Sequence, residues 1–262
     1  MKSNRKSNAW RRAAAFAIAL MALTALLILF WWLREINRSG KGYFYVSNSK
    51  ELEAVPWYEN SIRISDDELT DEQLSGFLQT NSISELRLDR AKNITSKGLV
   101  GLEHSWRFRV LGVPGGNVDD SISETLAKLH YLERLSLDGT RIHELSDEAF
   151  TNNPDLWMLD VGRCQINRRL LERCAAHPTL SSLNLAHCTG VRDEDFAALA
   201  KSSSLEQIDL MFADVSLSVL EEICSIPTLR QLWILYAKGV NAAEVKDLQR
   251  RHPGMEIAYE EP

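Results

Sequence analysis

The side chains able to do chemistry in this chain are few, and they do not converge. The four cysteines, Cys164, Cys174, Cys188 and Cys224, contain no CxxC pair, so the spacing of a zinc site is absent. The six histidines, at positions 104, 130, 143, 177, 187 and 252, are scattered. The nucleophile elbow GxSxG, the metal motif HExxH, the Walker loop and the dinucleotide motif GxGxxG are all missing. SGKGYF at 39–44 lacks the spacing of a phosphate-binding loop. The acids Asp138, Asp160 and Asp209, with Arg134 and Arg163 nearby, form a set able to receive a basic ligand or a metal, or simply to solvate a face; no oxygen-rich calcium loop accompanies them. The sequence therefore predicts no catalytic residue, no cofactor site and no metal site. What stands out instead is apolar: Met211, Phe212, Trp233, Leu235 and Tyr236 cluster near the C-terminus.

A repeat must position these residues. The frame Leu-x-x-Leu-x-Leu recurs at Ile83-Leu86-Leu88, Phe108-Leu111-Val113, Leu132-Leu135-Leu137, Leu156-Leu159-Val161, Leu180-Leu183-Leu185, Leu205-Ile208-Leu210 and Leu229-Leu232-Ile234. Successive frames start 25, 24, 24, 24, 25 and 24 residues apart. Ile62 and Ile64 form a degenerate first copy, and Met255 and Ile257 close the array. A second apolar mark follows each frame: Leu69, Ile94, Val118, Ile142, Ile166, Val191, Val215 and Val240. Directly after these marks stand Thr70, Thr95, Asp119, Asn167, Ser216 and Asn241, which favour helix N-caps, and His143 and Arg192, which do not. Helical spacing then follows, as in Ile122-Leu126-Leu129, Phe196-Leu199 and Leu217-Leu220, and Pro154, Pro178, Pro227 and Pro253 end the helices.

Each unit thus reads as a short strand, a turn and a helix of two to three turns. One unit cannot bury its apolar side, so neighbours must stack. Strands joined in one sense lie parallel, with helices outside. Over roughly residues 59–260 the sequence resembles the leucine-rich repeat family. SSLNLAHCTGVRDEDFAALA and SLEQIDLMFADVSLSVLEEIC are similar to the cysteine-containing subtype of F-box substrate receptors, and VKDLQRRHPGMEI is similar to the closing segment of bacterial, planctomycete-type members. The resemblance implies an α/β leucine-rich repeat solenoid with a parallel concave β-sheet and convex helices. It also implies that Cys164 and Cys188, equivalent to Thr140, Ala213 and Ala237 in other units, are buried and bonded to loop backbone. A disulfide between the two is the alternative, with poor geometry for parallel side chains.

Side chains alternate along a strand, so residues between the frame leucines face the open side. The early units place charges there, such as Glu85, Arg87 and Asp89. The later ones place Met158, Asp160, Asp209, Met211, Trp233 and Leu235, with Phe212 and Tyr236 at the strand ends and His187 expected beside Asp160 and Arg163. Exposed apolar surface of this kind marks interaction sites. The competing expectation is local packing, with the C-terminal tail over Trp233.

Upstream, residues 13–33 form an uncharged run of 21. As a helix it reaches about 31 Å, enough for a hydrocarbon core of roughly 30 Å. Trp10, Trp31 and Trp32 sit at its ends, where amphipathic rings favour the interface. The chain carries 30 basic and 36 acidic residues, net −6, but residues 1–33 hold five of the basic ones and no acid, leaving a net −11 over the rest. This predicts a basic cytoplasmic tail (1–12), a single transmembrane helix (13–33), a stalk and N-terminal cap (34–58) and an extracytoplasmic repeat domain (59–262); signal-peptide cleavage and secretion is the competing outcome. Within the cap, Tyr43, Phe44, Tyr45, Val46, Trp57 and Tyr58 are expected to cover the first layer. Asn37-Arg38-Ser39 and Asn93-Ile94-Thr95 fit glycosylation sequons. An acidic array is a poor partner for nucleic acid. The expected function is a non-enzymatic, membrane-anchored protein binding a protein or peptide on its concave face. The alternative is a substrate-recognition adaptor subunit of an enzyme complex, without an F-box.

Overall fold

The repeat frame becomes the sheet. In the computed structural model, which describes residues 42–261, ten strands pair in sequence order, every pair parallel. They are β1 (Phe44–Val46), β2 (Ser61–Ser65), β3 (Glu85–Asp89), β4 (Val110–Gly112), β5 (Arg134–Ser136), β6 (Met158–Asp160), β7 (Ser182–Asn184), β8 (Gln207–Asp209), β9 (Gln231–Trp233) and β10 (Glu256–Ala258). Register puts the middle frame residues side by side: Leu86, Leu111, Leu135, Leu159, Leu183, Ile208 and Leu232 form one continuous row. Every residue of the seven frames is at most 3% exposed. The expected α/β solenoid of stacked repeats with a parallel sheet is the architecture of residues 44–261. Strands lie about 4.8 Å apart, whereas packed helices need about 8–10 Å, so the sheet lines the inner side of the stack.

The turns after the strands are held as their residue types require. Thr70, Thr95, Asp119, Asn167, Ser216 and Asn241 each accept a hydrogen bond from a backbone N–H two or three residues on. At Arg192 the arrangement is reversed, and the Asp195 carboxylate accepts from the Arg192 N–H at 2.9 Å. After His143 no helix starts; the cap moves to Ser146, whose hydroxyl accepts from the Ala149 N–H at 3.2 Å. Among the described residues, α-helices of two turns or more form only at Asp71–Thr80, Arg168–Ala176, Leu217–Cys224 and Ala242–Arg251. The other units make shorter pieces, several of them 3-10 turns, as at Ser96–Leu99 and Ala197–Lys201. In the first of these, Gly98 lies against Asp71 of the preceding helix with no room for a Cβ, and Gly101 takes φ +111°, which ends the turn.

The cap differs in part from expectation. Phe44 and Val46 do cover the first layer, as part of β1, and Leu52 and Val55 complete the cover. Tyr45, Trp57 and Tyr58 do not: Tyr45 is 66% exposed on β1, and Trp57 and Tyr58 are 69% and 51% exposed, turned outward in the loop before β2 and packed edge-on to each other. The core beneath them is already filled by the aliphatic side chains, which leaves their larger rings no place inside. The apolar run 13–33 lies outside the described residues. Among the described residues no helix is long and apolar enough to cross a membrane.

Between layers, buried polar groups join one unit to the next. Asn153 is fully buried; its amide N–H groups donate to the Leu126 and Ala149 carbonyls, both at 2.9 Å, and its oxygen accepts from the Leu132 N–H at 3.3 Å. The buried His177 Nε2 donates to the Asn153 carbonyl at 3.2 Å, and burial holds its pKa below the usual imidazole range. Asn153→Ala would strand backbone groups of two neighbouring units, a loss of about 3 kcal/mol, against about 1 kcal/mol for removing the cap in Ser146→Ala. Chemical denaturation of the two variants checks the difference, and equal small losses would contradict it.

Candidate functional site

The open face of the sheet carries its side chains in rows, one residue per strand. Register aligns Ser136, Asp160, Asn184, Asp209, Trp233 and Ala258 in one row. Two residues further along each chain comes a second row, which includes Asp138, Gly162, Ala186, Met211 and Leu235. Trp233 lies between Asp209 and the small Ala258 and is half-buried, as are Met211 and Leu235. Met158 and Asp160 stand on β6, three strands and therefore about 14 Å from Trp233. The structure thus brings together Asp209, Met211, Phe212, Trp233, Leu235 and Tyr236, and leaves Met158 and Asp160 apart from them.

A third row follows immediately. Arg90, Gly115, Gly139, Arg163, His187, Phe212 and Tyr236 occupy equivalent positions in seven units, and all have positive φ, between 56° and 69°. Glycine adopts this left-handed conformation freely; any other residue is strained there, by roughly 1–2 kcal/mol. The cause is the ladder of backbone hydrogen bonds that continues past the strands. N–H groups of residues 115, 139, 163, 187, 212 and 236 each donate to a carbonyl of the next unit, at 2.7–3.0 Å. Two units meet the constraint with glycine. The four that follow carry Arg163, His187, Phe212 and Tyr236 instead.

The last three of these side chains, His187, Phe212 and Tyr236, form a continuous strip. Arg163 pairs with Asp138. His187 stacks on Phe212 with ring centres 3.8 Å apart and planes 16° from parallel, and Phe212 meets Tyr236 at 4.9 Å. The Tyr236 hydroxyl donates to Glu260 at 2.7 Å, which raises its pKa. Phe212 remains 41% exposed. His187 follows Arg163 in this row, on the neighbouring unit, and its ring stacks on Phe212. Sequence reasoning named Phe212 and Tyr236 but missed the row; the glycines at 115 and 139 in the same register were the available signal.

The acids of the open face serve the backbone. Asp160 accepts from the Gly162 N–H at 3.1 Å and from the Ser136 hydroxyl at 2.9 Å, and Asp209 accepts from the Met211 N–H at 2.8 Å. Asn184, between them, accepts from the Ala186 N–H at 2.9 Å in the same way. Burial raises the pKa of both carboxyls despite these donors. In the early units charge is matched internally, by Arg63 with Asp89 and Arg90 with Asp67. Among the described residues no three of His, Cys, Asp and Glu are grouped to hold a metal. Cys164 and Cys188 are free thiols, whose Sγ atoms donate to the Leu137 and Val161 carbonyls at 3.2 and 3.1 Å. Burial pushes the Cys188 thiol up to about 12, so it is not a nucleophile at neutral pH.

No family model and no curated protein matches the sequence. Among solved structures, the chain is similar to an internalin, InlF, from Listeria monocytogenes, at 16% identity over 80% of this chain and 69% of that one, with a TM-score of 0.48. It is also similar to a chain in the octameric complex of latrophilin 3, Unc5D and the leucine-rich repeats of FLRT2, at 15% identity over 85% and 84% of the two chains, with a TM-score of 0.46.

Asn184 supplies a natural control for the acids. Asp160→Asn keeps an oxygen for the Gly162 N–H and is expected to stay within about 1 kcal/mol of the parent at neutral pH, whereas Asp160→Ala loses roughly 1–3 kcal/mol. Because the folded pKa lies above the ordinary 3.8, the parent's stability relative to Asp160→Asn is greatest at low pH. It declines as pH rises through the folded pKa. Denaturation curves of both proteins, taken upward from pH 3, check the sign; a parent that gains on the variant with rising pH would contradict it.

Proposed function

We propose that this chain is a non-enzymatic, membrane-anchored repeat protein that holds a protein or peptide partner against the C-terminal half of its sheet. The observation that carries this reading is the strained row. Three aromatic rings, His187, Phe212 and Tyr236, stand at positive φ on an open surface where glycine would do the structural work with less strain. Strain kept at an exposed position supports a binding role. Met211, Trp233 and Leu235 extend the strip into a half-buried apolar patch. Aromatic anchors of this type dominate binding energy at protein interfaces.

The sheet face is open to water along its length, which gives a reacting group little desolvation, and its buried acids are engaged by backbone donors. These features favour recognition over catalysis. For the anchor, the 21 uncharged residues at 13–33 and the five positive charges before them support a single span with the N-terminus in the cytoplasm and the repeats on the far side.

A photoreactive amino acid at position 233 of the full chain, activated in native membranes, is expected to capture a polypeptide. The same residue at position 63, among the paired charges of the early units, is expected to capture none. Equal capture at both positions, or none at 233, would contradict the reading.

A further inference from the structure

Exposed aromatic residues are also concentrated at a second place, far from the strip just described in its position along the strands. Trp57, Tyr58, Trp106, Tyr131 and Trp157 are 41–69% exposed, and among the described residues they make up five of the eight large apolar side chains that stand out into solvent. They lie in the loops entering β2, β4, β5 and β6. Because all the strands are parallel, these loops share one edge of the sheet. Three of the four tryptophans beyond residue 33 are on it. In the later units the same loops carry Thr179, Ser181, Ser203 and Thr228 instead. The aromatic edge is therefore confined to the N-terminal half.

Charges along the edge come in both signs. Arg109 pairs with Glu133 at 2.6 Å, Arg107 lies over the Trp106 ring at 4.6 Å, and Asp155 stands beside Trp157 in the chain. No single sign dominates to select an anionic or cationic partner. The chain itself arrives from this edge, since Gly42 and Tyr43 lead into the start of β1. Only residues 34–43 separate β1 from the apolar run 13–33, and ten extended residues span at most about 35 Å. Tryptophan and tyrosine, each with an apolar body and a polar tip, are the residues that favour the headgroup zone of a bilayer.

We infer that this aromatic edge rests on the lipid surface, in the headgroup zone of a largely zwitterionic bilayer. The strands then stand upright on the membrane, and the sheet face opens sideways to its partner. The inference rests on the proposed anchor at 13–33, and its test separates the two. In the full chain, Trp10, Trp31 and Trp32 are replaced by Phe, so that emission comes only from positions 57, 106, 157 and 233. The protein is reconstituted in phosphatidylcholine vesicles with or without phospholipids brominated near the headgroup end of their acyl chains.

The chain is expected to float with the vesicles, and bromination is expected to quench its emission by about half. A further variant with Trp57→Phe, Trp106→Phe and Trp157→Phe retains only Trp233 and is expected to escape quenching. Flotation with edge emission quenched no more than that of Trp233 would overturn this inference alone. Failure to float would overturn the anchor and the inference together.

Discussion

No 24-residue unit of this chain can bury its own leucines, and the rest of the structure follows from that constraint. Each frame residue is covered by its equivalents in the units before and after, in a parallel register that leaves the central row fully buried from Leu86 to Leu232. The ends of such a stack need cover from elsewhere. Val46, Leu52 and Val55 provide it at one end, and β10 extends the sheet at the other. Asn153 and His177 show that the polar interior obeys the same rule, each bonded to backbone of an adjacent unit.

The same register creates the surface. For the backbone ladder to continue past the strands, one residue per unit must turn left-handed. At that position a side chain adds strain and projects from the face. Glycine at 115 and 139 avoids this, whereas His187, Phe212 and Tyr236 accept it and stack into a strip beside Met211, Trp233 and Leu235. A stacked aromatic pair offsets about 0.5–1.5 kcal/mol, comparable to the strain, so the fold gains little from having rings there. The acids of the same face behave differently: Asp160 and Asp209 each accept from the backbone N–H two residues on, where the strand ends.

The architecture was legible because its signals are periodic and local. The frames, the second apolar marks and six N-cap residues could be read in line, and each is where the spacing placed it. Features that depend on neighbours in space were not legible. Trp57 and Tyr58 read as a cap but face outward, since aliphatic residues had already closed the first layer. Helices read as uniform in length, yet close approach at Gly98 and the turn at Gly101 shorten one unit to 3-10 pieces. The stacking of His187 on Phe212 likewise joins side chains of two different units. Within the candidate site, the residue types could be read, while the strain that sets Phe212 and Tyr236 apart depends on a φ angle that composition does not report.

The central claim is that the aromatic strip is maintained for a partner and not for the fold. Thermal and chemical unfolding of Phe212→Gly measures this most directly. Relief of the left-handed strain should nearly balance the lost stacking, leaving stability within about 1 kcal/mol of the parent. A loss of about 3 kcal/mol or more, as for a phenylalanine removed from a core, would show that the strip holds the solenoid together and would contradict the claim.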